Sequence, residues 1–233
     1  MIYCMSDLHG QYQQFKKLLN LIDFDENDTL YILGDIVDRG PESLKIIEDI
    51  KNNENIHPLI GNHEYNMMLC ANFLLKEITE SSVKELENNQ LDLIVDWFSN
   101  GGKTTFLEFM QYSKEQQKDI LDYIGEFTLY EEVEVNGNSF VLTHAGISNF
   151  SIDKPLEDYS LFDMIFTRPN YEKVYYPNKY LVSGHTPTPL IDENCKDGSI
   201  YFKNNHIAID CGSVFGGRLG VICLDTFETF YVR

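Results

Sequence analysis

The chain has 233 residues, 43 % of them hydrophobic, enough apolar material for one domain burying roughly 70–75 % of its unfolded surface. Lys and Arg number 18 against 37 Asp and Glu, and the resulting net charge of −19 repels polyphosphate backbones and excludes a dedicated DNA- or RNA-binding role. Met1–Gly10 lacks a basic segment followed by an apolar core, and no later apolar run nears membrane-spanning length, so the expectation is a soluble, cytoplasmic protein without membrane association.

In chain order, Ile2–Met5 reads as a short apolar strand, Tyr12–Ile22 as an amphipathic helix with Phe15, Leu18, Leu19 and Ile22 on one face, and Thr29–Leu33 as a second strand. Pro41 suits a first helical turn, Leu44, Ile46, Ile47 and Ile50 continue that helix, and Ile56–Ile60 is a third buried strand. This alternation predicts a parallel sheet whose chemistry gathers beyond the carboxyl ends of its strands. From Tyr65 to about Glu126 strand signals vanish, and Leu86, Leu91, Leu93, Ile94, Trp97 and Phe98 mark a helical insert capping one domain that spans residues 1–233. Beyond it, Tyr130–Val135 and Ser139–Thr143 flank an Asn136-Gly137 hairpin turn, and short strands recur at Tyr180–Ser183, His206–Asp210, Leu219–Leu224 and Phe227–Val232.

Two common phosphate chemistries fail on spacing. Asn100-Gly101-Gly102-Lys103-Thr104 suggests a nucleotide-binding P-loop, but Trp97 occupies the position that needs Gly, and the preceding segment is helical. None of the five cysteines, Cys4, Cys70, Cys195, Cys211 and Cys223, has the arginine six positions on that a thiolate phosphatase loop requires, and none forms a C-x-x-C pair.

Each of the first three strands is followed by a polar, Gly-containing loop: Ser6-Asp7-Leu8-His9-Gly10, Gly34-Asp35-Ile36-Val37-Asp38-Arg39-Gly40 and Gly61-Asn62-His63-Glu64. Asp7 and His9, two apart, can aim at one point that Asp35 from the neighbouring strand also reaches, a ligand set suited to manganese or iron. Asn62, His144 and His185 each follow a strand among small residues and complete a second site if Asp35 bridges, with the two ions about 3.5–4 Å apart. His63 adjoins Asn62 and faces a leaving oxygen as general acid, with Asp38 orienting it and raising its pKa. Arg39, one of four arginines, is a phosphate fork; the plainer alternative is an ion pair with Asp38 or Asp35.

These blocks, in this order, resemble the phosphoprotein phosphatase family of calcineurin-like metallophosphoesterases: G-D-x-H-G, G-D-x-V-D-R-G, G-N-H-E, a His-small-Gly and a G-H-T all have counterparts between Ser6 and Thr186. Ser6 stands where Gly is usual and Ala145 where Gly is more frequent, small-for-small changes that spare the ligands. The Trp97-Phe98-Ser99-Asn100-Gly101-Gly102 stretch and the run from Ile209 to Phe215 are similar to the bacterial and phage branch, which includes the lambda phage phosphatase. The resemblance implies an α/β fold, a four-layer β-sandwich flanked by helices. It places Asp7, His9 and Asp35 on one metal and Asp35, Asn62, His144 and His185 on the other, with His63 as acid, Asp38 as its partner and Arg39 on phosphate. It adds Arg168, in Phe166-Thr167-Arg168-Pro169, as a second phosphate arginine.

The resulting expectation is a two-metal serine/threonine protein phosphatase, with two divalent ions, manganese first and iron or zinc as substitutes. A metal-bridging hydroxide is the nucleophile, and phosphorylated proteins or peptides, with phosphotyrosine as a further case, are the substrates. The same-fold alternative is a symmetrical dinucleoside tetraphosphate hydrolase, whose corresponding loop carries Ala where this chain has Asp38. A catalytically inactive phosphate-binding module would show a missing ligand or acid, and none is missing.

Overall fold

The computed structural model describes residues 1–75 and 88–233. Among them, β1 (Ile2–Met5), β2 (Thr29–Ile32), β3 (Ile56–Pro58), β9 (Leu219–Cys223) and β10 (Thr229–Val232) form one sheet in the order β10-β9-β1-β2-β3. β4 (Tyr130–Val135), β5 (Asn138–Thr143), β6 (Tyr180–Ser183), β7 (Tyr201–Lys203) and β8 (His206–Ala208) form a second in the order β4-β5-β6-β8-β7. The expected parallel pairing holds for β1-β2-β3, but β9 and β10 join antiparallel, so both sheets are mixed. In the second sheet β5-β6-β8 run parallel between antiparallel edges, and β7 has no counterpart in the sequence-based expectation.

Strand pleating sorts the core into layers. Tyr3, Met5, Leu30 and Ile32 face helices α1 (Tyr12–Leu21) and α2 (Ser43–Lys51), with Phe15, Leu18, Ile46 and Ile50 in the same cluster. Cys4, Leu33 and Ile222 point the other way, meeting Phe140, Leu142, Val182 and Ile207 between the sheets. Val141 and Leu181 bury the outer face of the second sheet under Ile147, Leu156, Tyr159 and Met164. This gives an α/β sandwich of two mixed sheets flanked by helices. The hairpin turn is as expected: Asn136 and Gly137 both have positive φ, 49° and 82°, as a type I′ turn demands.

The described part of the insert is helical, at Ala71–Leu74, Asn88–Trp97, Lys103–Phe109 and Lys114–Ile124; Leu86 lies outside the described residues. Leu91 and Leu93, expected in its apolar face, are exposed, whereas Trp97 is buried and Ile94 and Phe98 pack against the main core. A π-helical turn, Phe98–Gly102, brings the insert onto the loop after β2. There the Arg39 N–H donates to the Gly101 carbonyl (3.0 Å), the Asp38 N–H to Thr105 Oγ1 (2.8 Å), and the Trp97 indole N–H to Asp38 Oδ2 (2.9 Å). Glu108 accepts the Leu44 and Lys45 N–H groups at the start of α2, donors that no cap residue satisfies. Among the described residues, no helix is long and apolar enough to cross a membrane.

Helix α3 (Asn62–Leu69) starts inside the Gly61-Asn62-His63-Glu64 loop, and its third residue, Glu64, does more than cap it. Fully buried, Glu64 accepts four backbone N–H groups: Asp35 and Gly61 on Oε2, both at 2.9 Å, and Ile36 and Val37 on Oε1 at 2.7 and 3.0 Å. One carboxylate therefore ties the loops after β2 and β3 together. Replacing Glu64 by Gln turns one acceptor oxygen into a donor facing two N–H groups, and we expect a loss of about 2–4 kcal/mol. Urea unfolding with an unchanged m-value checks this; a midpoint equal to that of the unmodified protein contradicts it.

Candidate active site

The parallel strands of both sheets release their chains towards one place. Asp7 follows β1, Asp35 follows β2, Asn62 follows β3, His144 follows β5, His185 follows β6 and Asp210 follows β8. Main-chain bonds stitch these loops together, among them Asp7 N–H to the Gly34 carbonyl (3.1 Å), His9 N–H to that of Asp35 (2.9 Å) and Gly184 N–H to that of His144 (2.7 Å). A side chain on Gly34 would put Cβ 2.6 Å from the Gly61 backbone and 2.8 Å from His144 Nδ1. Six non-glycine site residues have left-handed backbone: Asp7, His9, Asp35, Asp38, Arg39 and His185, with φ from 43° to 74°. Such strain persists only where surrounding contacts over-determine it, and its concentration here marks a functional centre.

The histidines are oriented for donation. His144 Nδ1 gives its proton to the Leu33 carbonyl (2.6 Å) and His9 Nδ1 gives its own to that of Val37 (2.9 Å), leaving Nε2 of each with an outward lone pair. His144 Nε2 lies 3.0 Å from Asn62 Oδ1, 3.2 Å from His185 Nδ1 and 3.4 Å from Asp35 Oδ1. Imidazole, amide and carboxylate ligand atoms thus converge on one point, an arrangement suited to a cation. Donor atoms of Asp35, His144 and His185 lie within 4.8 Å of one another, and so do those of His9, Asp35 and His63. With Asp35 common to both clusters, His9 and Asp35 on one side and Asp35, His144 and His185 on the other fit two divalent ions, while His63 is held by Asp38 through Nδ1. Asp7 belongs to neither cluster; its Oδ2 accepts the His185 N–H at 3.0 Å.

Burial governs the electrostatics. It pushes the His9 pKa well down and that of His185 to about 2, so both are neutral donors, and it raises Asp7 and Asp35, the latter further through the Asp7 charge. His63 Nδ1 meets Asp38 Oδ2 at 2.7 Å, the contact expected of an acid and its partner. The expected rise in the His63 pKa is absent: burial, then Arg39 and His144, lowers it to about 3, while burial raises Asp38 to about 7. Taking the pair out of water disfavours both charged forms, and His63 Nε2 faces Asp35 Oδ2 at 3.9 Å.

Arg39 does not make the alternative ion pair with Asp35 or Asp38; its guanidinium contacts His9 Nε2. Arg168 donates to Thr186 Oγ1 (3.2 Å). Among the described residues neither arginine has a carboxylate within 4 Å, so both forks are open to an oxyanion. Three contributors went unassigned at the sequence level. Glu64 carried the mark of an acid in a first helical turn, Trp97 that of the residue that broke the P-loop pattern, and Asp210, buried near Asp7, that of an acid at the end of a strand.

The family model of the calcineurin-like phosphoesterases matches residues 1–207. A symmetrical bis(5'-nucleosyl)-tetraphosphatase from Wigglesworthia glossinidia brevipalpis is 39 % identical over 98 residues, 41 % of this chain and 36 % of that protein. The chain therefore matches only about a third of that relative's length. The asymmetrical bis(5'-nucleosyl)-tetraphosphatase PrpE of Bacillus cereus is 27 % identical over 98 % of this chain and 92 % of its own. Among solved structures, a candidate diadenosine tetraphosphatase shares the fold with a TM-score of 0.66 at 18 % identity, covering 99 % of this chain and 92 % of that one. A protein serine/threonine phosphatase from Saccharomyces cerevisiae does so with a TM-score of 0.57 at 15 % identity, covering 97 % and 72 %. With the family model spanning most of the sequence and every strand-end motif gathered at one centre, the chain belongs to the calcineurin-like phosphoesterases.

Proposed function

We propose that the chain hydrolyses dinucleoside tetraphosphates, the substrate class of the symmetrical hydrolase weighed as the alternative from the sequence, in preference to phosphoproteins. The observation that carries this is the likeness along nearly the whole chain to a protein named as such a hydrolase, 98 % of this sequence and 92 % of that one. Arg39 and Arg168 hold the phosphate oxygens. Two divalent ions on Asp7, His9, Asp35, Asn62, His144 and His185 would supply Lewis acidity towards phosphoryl oxygen and a low-pKa water. Water, having released one proton to solvent, bonds through its oxygen to phosphorus as the bond from phosphorus to the bridging oxygen breaks; that electron pair leaves with the nucleotide, and His63, backed by Asp38, delivers a proton where the leaving group needs one.

The protein-phosphatase reading keeps one specific support, the 2.7 Å contact between His63 and Asp38. A serine alkoxide leaves only with a proton, so it depends on that dyad; a nucleotide leaves as a stable anion and depends on it less. Steady-state kinetics on diadenosine tetraphosphate beside phosphoserine, phosphothreonine and phosphotyrosine peptides separates the two. We expect kcat/KM at least tenfold higher for the dinucleotide, about 1.4 kcal/mol of transition-state preference. The reverse order restores the protein phosphatase.

Asp38→Ala should lower kcat on a phosphoserine peptide by about 10²–10⁴ and on diadenosine tetraphosphate by less than about tenfold. Equal losses on both would remove the dyad from leaving-group protonation. Chelator-treated protein should gain stability when manganese is restored, about 2.7 kcal/mol at a hundredfold excess over Kd, visible as a higher melting temperature. His144→Ala and His185→Ala should lose most of that gain; variants that keep all of it place these residues outside the metal shell.

A further inference from the structure

The surface beside Arg39 differs in kind from the acidic centre it borders. Phe215 is 67 % exposed, and the Arg39 guanidinium carbon lies 5.1 Å from its ring centroid. Phe215 helps to line a groove of about 430 Å³, within the roughly 300–1,000 Å³ of small-molecule sites. Pro187, Pro189 and Leu190, the last 74 % exposed, form other walls, and Gly212, Gly216 and Gly217 add backbone without side chains. Gly212 and Gly216 sit at φ 71° and 86°, and a Cβ on either would meet nothing closer than Pro187 at 3.8 Å. The groove is therefore a slot with an aromatic face, aliphatic walls and accessible peptide groups.

It borders the active-site loops, with Phe215 standing against Arg39. Pro187 is two residues beyond His185, the Thr188 N–H donates to the Asp210 carbonyl (2.8 Å), and Ser213 Oγ donates to the Asp7 carbonyl (3.3 Å). We infer that this groove seats a nucleobase of the substrate, an inference that rests on the dinucleoside tetraphosphate reading above. A nucleotide places a planar ring one sugar away from its phosphate, and Arg39 against Phe215 places a phosphate-binding fork beside an exposed aromatic face. The base stacks on Phe215 between the aliphatic walls, while the phosphates run past Arg39 to the centre. Exposing a Phe and a Leu together is costly in water and is explained by a ligand that covers them.

The test uses Phe215→Leu, which keeps an apolar side chain and removes the ring, and Phe215→Trp, which restores a larger ring. With diadenosine tetraphosphate we expect KM about tenfold higher in the Leu variant and within about twofold of the unmodified protein in the Trp variant. Inorganic tripolyphosphate, which has no base, serves as competitor, and its inhibition constant should stay within about twofold in the Leu variant. Saturation-transfer NMR with adenosine monophosphate gives a readout independent of turnover: the adenine H2 and H8 signals should weaken in the Leu variant and return in the Trp variant. An unchanged KM and unchanged adenine signals overturn the seat and leave the hydrolase reading standing. Equal weakening towards tripolyphosphate also overturns it, reducing Phe215 to a prop for Arg39. An unmodified enzyme that cleaves phosphopeptides but not diadenosine tetraphosphate overturns both readings, and so does a phosphopeptide whose KM follows Phe215 in place of the dinucleotide's.

Discussion

Lone pairs that converge in a buried space repel one another unless a positive charge joins them, and the rest of this structure is arranged around that constraint. Asp35, Asn62, His144 and His185 bring acceptor atoms within 3.0–3.4 Å of His144 Nε2. Two of the histidines have their other nitrogen committed to a main-chain carbonyl, which fixes the direction of the remaining lone pair. The left-handed backbone at Asp7, His9, Asp35 and His185 costs energy at each residue, and it is tolerated because neighbouring loops hydrogen-bond it in place. Glu64 extends the same logic outward, since a buried carboxylate survives there by accepting four N–H groups from the loops it binds.

A chain with net charge −19 presents a poor surface to polyanions, so affinity for phosphate must come from the site itself. Arg39 and Arg168 are placed for that role in the proposed reading, since neither is spent on a carboxylate among the described residues. The helical insert has a part in this. Its π-turn carbonyl at Gly101 receives the Arg39 N–H, and its Trp97 and Thr105 hold Asp38 from both sides. Arg39 and Asp38 are thus positioned by residues some sixty positions further along the chain, which ties the insert to the candidate site.

Much of the centre was legible in the sequence because its parts are local. D-x-H after a strand, an Asp-containing Gly-rich loop after the next, and small residues around Asn62, His144 and His185 each carry a short-range signature, and parallel strands gather such ends at one edge. The strand alternation also placed β1, β4 and β6 at their observed bounds. Features that depend on distant partners were not legible. Glu64 shows a capping pattern, but its role in holding the Asp35 loop appears only when β2 and β3 lie side by side. Trp97 looked like a core aromatic until its indole N–H was found on Asp38. β7 is an edge strand with one buried residue in three, so it lacks the apolar run that marked β8. The lowered pKa of His63 depends on burial, which the motif alone does not specify.

The central claim is that these loops form one centre for two cations sharing Asp35. Crystals grown with manganese and measured by anomalous diffraction address it most directly. We expect two anomalous peaks, each within bonding distance of an Asp35 oxygen, one beside His9 and the other beside His144 and His185. A single peak at full manganese loading, or two peaks that do not share Asp35, would contradict it.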